Sequence, residues 1–177
     1  MFKKIREQYL ISKIKKGDKE AFSEIYNNYL DKIYRFVYFK VSSKEIAEDL
    51  TSDTFLKILK YIISSDKQIN NLQAFVYQTA KNLITDHYRQ GHNTIPLENV
   101  EKILLDNKNH HLINDDLRTI EKALSTLKNE YKEIITLCHL DQLSIKEASQ
   151  ILQKPAGTVR VTLHRALKAL REKINKE

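Results

Sequence analysis

Leu143 to Lys173, LSIKEASQILQKPAGTVRVTLHRALKALREK, constrains the fold more tightly than any other stretch of the chain. Ser144 followed three residues later by Glu147 has the spacing of a capping box, which starts a helix at Ile145. Ile145, Ala148, Ile151 and Leu152 then fall on one helical face. Pro155 and Gly157 end that helix and open the next, because Pro disfavours helix in the residue before it and Gly permits a sharp turn. In the second helix Val159, Leu163, Ala166, Leu167, Leu170 and Ile174 form a stripe expected to be buried. Its other side carries Arg160, His164, Arg165, Lys168, Arg171, Lys173 and Lys176. A short helix, a tight turn and a basic second helix make the helix-turn-helix pattern, whose second helix enters the DNA major groove. A basic helix face is also the ordinary solvated surface of many helical proteins, so the rest of the chain has to decide between the two.

The remaining sequence is helical in character. Only 3 Gly and 2 Pro occur in 177 residues, alongside many Lys, Glu, Leu and Ile, which favours an all-α protein. The net charge of +7 suits a polyanionic partner, whether nucleic acid or a membrane surface. No apolar run reaches the length of a spanning helix, and the N-terminus lacks the apolar core of a signal peptide. A cytoplasmic protein without stable membrane insertion is expected. The single Cys138 excludes an intramolecular disulfide and reads as a small core residue.

In chain order, a first helix from about residue 4 to 15 is stopped by Gly17, and Asp18 caps the next. Phe22, Ile25, Tyr26, Tyr29, Ile33, Phe36 and Val37 recur at helical steps in that second helix. Ser42 and Glu45 suggest another capping box, followed by a helix burying Ile46, Leu50, Phe55, Ile58, Leu59 and Ile62. Glu45, Asp49 and Asp53 stack on one face of it. No His accompanies them, so a protein-contact face or plain surface is expected rather than metal or acid–base chemistry. A fourth helix packs Phe75, Val76, Thr79, Ala80, Leu83 and Ile84. It turns outward Gln78, Lys81, Asn82, Asp86, Tyr88 and Arg89, a mixture able to stack on and hydrogen-bond to unpaired bases, or simply to face water.

Regularity lapses from Gly91 to about Leu112, which reads as an interdomain linker. After Asn114, a plausible cap, Leu117, Ile120, Leu124 and Leu127 form one helix, and Tyr131, Ile134, Ile135 and Cys138 another, both packing under the helix-turn-helix. His110 and His111 are adjacent and point to different sides, and the other histidines are dispersed. With no phosphate-cradling glycine loop, no paired Cys and no HExxH, neither a cofactor, a metal nor an enzymatic activity is expected.

The order of these motifs resembles the extracytoplasmic-function (ECF) group of sigma factors in the sigma-70 family. GDKEAFSEIYNNYLDKIYRF is similar to the start of the family's first conserved domain. KEIAEDLTSDTFLKIL is similar to its polymerase-binding helix, and AFVYQTAKNLITDHYR to its −10 promoter helix. The helix-turn-helix is similar to its −35 reader. The resemblance implies two small helical domains, 1–91 and 114–177, joined by a flexible linker at 92–113. It implies that Asp49, Thr51, Asp53 and Phe55 dock on the clamp helices of the polymerase β′ subunit. It places Tyr61 to Asn71 at the loop that captures an unstacked base, with Lys81, Asn82 and Arg89 beside it. Arg160, Val161, Thr162, His164, Arg165 and Lys168 become the positions facing the −35 duplex. Implied partners are core RNA polymerase (β′ clamp helices and β flap), promoter DNA and an anti-sigma protein, with the free chain monomeric. The chain ends at Glu177, so no C-terminal regulatory domain is expected.

The chain departs from the family pattern in places. Gln153 and Lys154 replace the usual Gly-Ile pair of the turn, Val161-Thr162 stand where Ser-Arg is common, and Lys128 replaces a frequent Pro. Losing an Arg at a base-facing position changes the bases that can be read, since Arg pairs bidentately with guanine. Two other readings share the motifs. A repressor or activator would bind an operator tightly without polymerase, usually as a dimer, and a basic adaptor would bind RNA or lipid without sequence preference.

Overall fold

Helix boundaries are set by local capping chemistry, and most of them fall where the sequence puts them. The computed structural model describes residues 2–91 and 122–174. Among these, α1 (Phe2–Lys15), α2 (Lys19–Val41), α3 (Lys44–Ser64) and α4 (Leu72–Gly91) form the N-terminal half. In the C-terminal half are α5 (Asn129–Ile135), α6 (Ile145–Leu152) and α7 (Ala156–Ile174). Residues 122–125 are also helical, and α5 runs on into a π-helical turn at Thr136–Leu140. No strand occurs among the described residues, as expected of an all-α chain. The linker at 92–113 and the helix start with Leu117 and Ile120 lie outside them.

Gly17 breaks α1 with φ of 86°, a conformation that favours glycine. Asp18 then caps α2, its carboxylate accepting the Ala21 N–H at 3.1 Å. The cap expected at Ser42 moves by one residue. Only two residues join α2 to α3, and the first must turn left-handed to end α2: Ser42 has φ of 55° and donates its N–H to the Tyr38 carbonyl at 2.8 Å. Ser43 is left extended and takes the capping role, its Oγ accepting from Ile46 N–H at 3.4 Å.

The capping box at α6 is complete. Ser144 N–H donates to the Glu147 carboxylate at 2.9 Å, and Ser144 Oγ accepts the Glu147 N–H at 3.3 Å. The turn after α6 differs from the expectation. Gln153, not a glycine, occupies the left-handed position with φ of 54°, and Lys154 N–H closes on the Ser149 carbonyl at 3.1 Å. Gly157 lies inside the first turn of α7, where an added Cβ would meet nothing within 4 Å.

In the N-terminal half, Ile25, Ile33, Phe36 and Val37 of α2 pack with Ile58 and Ile62 of α3 and Val76, Tyr77 and Ala80 of α4. Phe36 and Tyr77 meet edge to face, with ring centroids 5.3 Å apart. In the C-terminal half, Leu124, Ile134, Leu137, Ala148, Ile151, Val159 and Ala166 are buried. Along α7 only Val159 and Ala166 reach the core; Leu163, Leu167 and Leu170 are half-buried and Ile174 is exposed. The two halves are packed together, α2 against α5 and α4 against α6, and one apolar core runs through both.

The turn geometry yields a paired prediction. Gln153→Gly removes left-handed strain and Gly157→Ala supplies a better helix former. Each should raise stability by about 0.5–1 kcal/mol, read as a higher urea midpoint with unchanged slope. A lower midpoint for Gln153→Gly would show that its side chain contributes more than its backbone costs.

Candidate nucleic-acid interface

Helix α7 sorts its residues by angle. Val159 and Ala166 face inward, which sends Arg160, Val161, His164, Arg165 and Lys168 outward together, with Val161 50% exposed. Glu172 is the only acid on a helix that also carries Arg171 and Lys173. Thr162 departs from the expected groove-facing set. Three residues after Val159 and four before Ala166, it sits on the inner side and lines a crevice with Glu130, Glu133 and Lys154. Lys154 Nζ donates to Glu130 at 2.6 Å, pinning the turn to α5.

On α3 the same rotation separates the four expected docking residues. Asp49 and Asp53 are exposed and border a groove with Asp86 and the apolar Ile46, Leu50 and Leu83. Glu45 and Glu48 extend the acidic face, and Leu56 stands exposed one turn beyond Asp53. Thr51 and Phe55 are buried, Phe55 packing on Tyr26 with centroids 4.7 Å apart. Their side chains fix α3 in the core and cannot themselves meet a partner in this arrangement.

The connection from α3 to α4 brings the remaining expected residues close to one another. Tyr61 is half-buried against Phe75, with ring centroids 4.8 Å apart. Asn71 caps α4 by accepting the Ala74 N–H at 3.0 Å, and its amide donates to Gln150 Oε1 on α6 at 2.8 Å. Asn82 and Arg89 are exposed, whereas Lys81 is half-buried with Nζ 3.6 Å from Glu133 of α5. Gln78 donates to the Gln150 carbonyl at 3.0 Å, and the Tyr88 hydroxyl to the Lys40 carbonyl at 2.6 Å.

A polar cluster between the halves has no counterpart in the sequence reading. Asp141 follows the π turn and its side chain is 0% exposed. One carboxylate oxygen accepts Arg35 Nη2 at 3.0 Å and Nε at 3.2 Å, and the other accepts the Tyr77 hydroxyl at 2.8 Å. Burial holds the Asp141 carboxyl above the ordinary carboxylate range, outweighing the opposite pull of Tyr77, Arg35 and Lys32. Nearby, Glu133 lies 3.1 Å from Lys40, whose ammonium is pushed down by burial against the pull of that carboxylate. These residues come from α2, α4 and α5 and the segment after it, so no local motif announces them.

Among the described residues, no group of three or more His, Cys, Asp or Glu is arranged to hold a metal. No helix among them is long and apolar enough to cross a membrane.

Comparison with known proteins fits this geometry. Residues 25–94 match Sigma-70 region 2, and residues 117–170 match Sigma-70, region 4. The chain is 31% identical over 178 residues to the ECF RNA polymerase sigma factor SigW of Bacillus subtilis, covering 93% of this chain and 94% of SigW. It is 28% identical over 170 residues to the ECF RNA polymerase sigma factor BldN of Streptomyces coelicolor. That match covers 93% of this chain but 64% of BldN. In fold it is similar to CnrH, solved in complex with the cytosolic domain of CnrY, with a TM-score of 0.71 and 17% identity over 97% of this chain and 99% of that one. The sigma factor RpoE, solved with the anti-sigma factor NepR from Bartonella quintana, gives 0.69 and 23% identity over 87% of this chain and 96% of RpoE. The chain belongs to the ECF sigma factors of the sigma-70 family, which direct RNA polymerase to promoters in transcription initiation.

Because folding raises the Asp141 pKa, the stability it contributes is complete below the unfolded carboxylate range and is lost as pH rises through the folded value. Asp141→Asn keeps an acceptor for Arg35 and an amide to meet the Tyr77 oxygen while removing the buried charge. Its urea midpoint at pH 7 should match or exceed that of the parent chain, and the gap should narrow as pH falls toward the carboxylate range. A loss of about 3 kcal/mol or more at pH 7 would instead mean that the Arg35 ion pair, not burial, governs this group.

Proposed function

We propose that residues 1–91 and 114–177 act as two modules joined by the linker 92–113, the first docking on core RNA polymerase and holding melted −10 DNA, the second gripping the −35 duplex. The observation that carries this reading is the separation of charge. An acidic face with Asp49 and Asp53 lies on α3, and a basic face with Arg160, Arg165 and Lys168 lies on α7. The acidic face suits a protein partner and would repel DNA phosphate, while the basic face suits phosphate.

In this reading Asp49 and Asp53 contact the β′ clamp helices, and exposed Leu56 gives the contact an apolar floor. Thr51 and Phe55 serve by holding α3 in place. Asn82 and Arg89, with Lys81, Tyr61 and Asn71, receive the unpaired strand, where aromatic stacking and cation contacts are sequence-tolerant. On α7, Arg160 and Arg165 supply guanine or phosphate contacts, Val161 offers an apolar surface to a thymine methyl, and Lys168 contacts phosphate. The chain would act in the cytoplasm as an initiation factor rather than an enzyme. An anti-sigma partner of the kind bound to RpoE in its solved complex would compete for these faces.

Two measurements test the assignment. Asp49→Lys with Asp53→Lys should abolish binding to purified core polymerase and leave affinity for double-stranded DNA unchanged or tighter; retained polymerase binding would contradict the docking face. On a cognate promoter, Arg160→Ala should cost about 1–3 kcal/mol and relax preference at one base pair. Lys168→Ala should weaken binding evenly and reduce the salt slope by about one. Equal effects on every sequence from Arg160→Ala would remove its reading role.

A further inference from the structure

Helix α1 precedes residues 25–94, the stretch that matches Sigma-70 region 2, so that match assigns it no role. Part of α1 holds it to α2: Leu10, Ile11 and Ile14 are buried, Glu7 accepts the Tyr29 hydroxyl at 2.8 Å, and Arg6 Nε donates to Glu24 at 2.7 Å. Two other side chains reach the connection from α3 to α4. The Gln8 amide donates to the Ile69 carbonyl at 2.5 Å, and Lys15 Nζ donates to the Ser65 carbonyl at 2.8 Å. Gln8 and Lys15 are seven residues apart, close to two helical turns. They therefore share one side of α1, roughly 10 Å apart along its axis, and the connection runs antiparallel to them. Each tie meets a need that the connection cannot meet alone. Ser65 ends α3, whose last turn carries no basic residue, so Lys15 brings from α1 the cation that a helix C-terminus favours. Ile69 is buried in the same apolar core as Leu10, Ile11 and Ile14, which sets its carbonyl close to α1, and Gln8 provides the donor.

We infer that Gln8 and Lys15 are positioning residues for strand capture: α1 holds the connection at 65–71 in a shape that presents Lys67, Gln68 and Asn70 to an unpaired base of the −10 strand. The inference rests on the −10 assignment above and extends it to a helix outside the matched residues. Lys67, Gln68 and Asn70 are exposed, and the Lys67 N–H donates to Ser65 Oγ at 3.2 Å, which continues the fixed backbone past the first tie. The Lys67 ammonium suits phosphate, and the Gln68 and Asn70 amides suit the donors and acceptors that a base exposes once unpaired. Among residues 65–71 only Ile69 is apolar, so without the ties the segment has little of its own to offset the entropy of ordering. A strand that binds one shape of the connection sees only the fraction of chains in that shape. The two ties raise that fraction from the side of the connection away from Lys67, Gln68 and Asn70.

The test uses the full chain, free and assembled with core polymerase. Gln8→Met with Lys15→Met keeps side chains of similar length and removes both donors. In the free chain, backbone NMR order parameters at residues 66–70 should fall from about 0.85 toward 0.6, while those of α2, α3 and α4 hold. With polymerase, affinity for a promoter premelted over the −10 element should fall about tenfold, as two hydrogen bonds that order the connection are lost. Binding to core polymerase and to a −35 duplex should stay unchanged. Lys15→Arg, which keeps a donor, should match the parent chain in both readouts. Lys15→Met alone, at an exposed position that folding does not depend on, should show part of both losses. A lowered urea midpoint with unchanged affinity for the premelted promoter would mean a merely structural role and overturn the inference, as would order parameters already low in the parent chain. A scrambled −10 strand separates the two failures. If the parent holoenzyme prefers the −10 sequence and the double variant keeps that preference at full affinity, only the role of α1 falls. If the parent shows no preference, the −10 assignment falls, and the positioning role falls with it.

Discussion

The arrangement of this chain depends on a buried carboxylate. Asp141 lies inside an interface where a lone charge would be expelled, and it stays because Arg35 and Tyr77 satisfy its two oxygens from different helices. That requirement fixes how α2 and α4 sit against the segment following α5, and hence where the helix-turn-helix lies relative to the N-terminal half. Apolar contact adds area to the interface. Hydrogen-bond geometry at Asp141 gives it register, since an apolar face alone would tolerate sliding.

Within each half the energetics are those of ordinary helical packing. Ile33, Phe36, Ile58 and Tyr77 are fully buried, and each aliphatic side chain of this kind contributes about 1.5–3 kcal/mol when removed from water. The segregation of charge onto opposite elements works differently. The acidic face of α3 and the basic face of α7 contribute little to stability, since exposed charges are well screened, but they bear on what can approach each face. Fold and the proposed contacts are thus carried by largely different residues, with α4 the exception: Tyr77 is buried in the core, Lys81 pairs with Glu133, and Asn82 is exposed.

Local features were the most legible in the sequence. Asp18 and the Ser144–Glu147 box cap their helices because a cap needs only residues three apart. Apolar spacing found Ile25, Ile33, Phe36 and Val37 for the same reason. Errors arose where neighbouring constraints competed. Ser42 was drawn into closing α2, so Ser43 took the cap, and Gln153 took the left-handed site expected of a glycine. Helix rotation separates the residues of the two motifs: Thr51 and Phe55 are buried and Thr162 lines a crevice, while Asp49, Asp53 and Arg160 are exposed. Arg35 and Asp141, 106 residues apart, could not be paired by any periodicity.

In the proposed reading one half serves polymerase and melted DNA and the other duplex DNA, and promoter opening needs both. Permanganate footprinting of a cognate promoter tests that claim directly. Thymines around the −10 element should become reactive when core polymerase and this chain are both present, and stay protected with either alone. Reactivity induced by the chain alone, or none with both, would contradict the account.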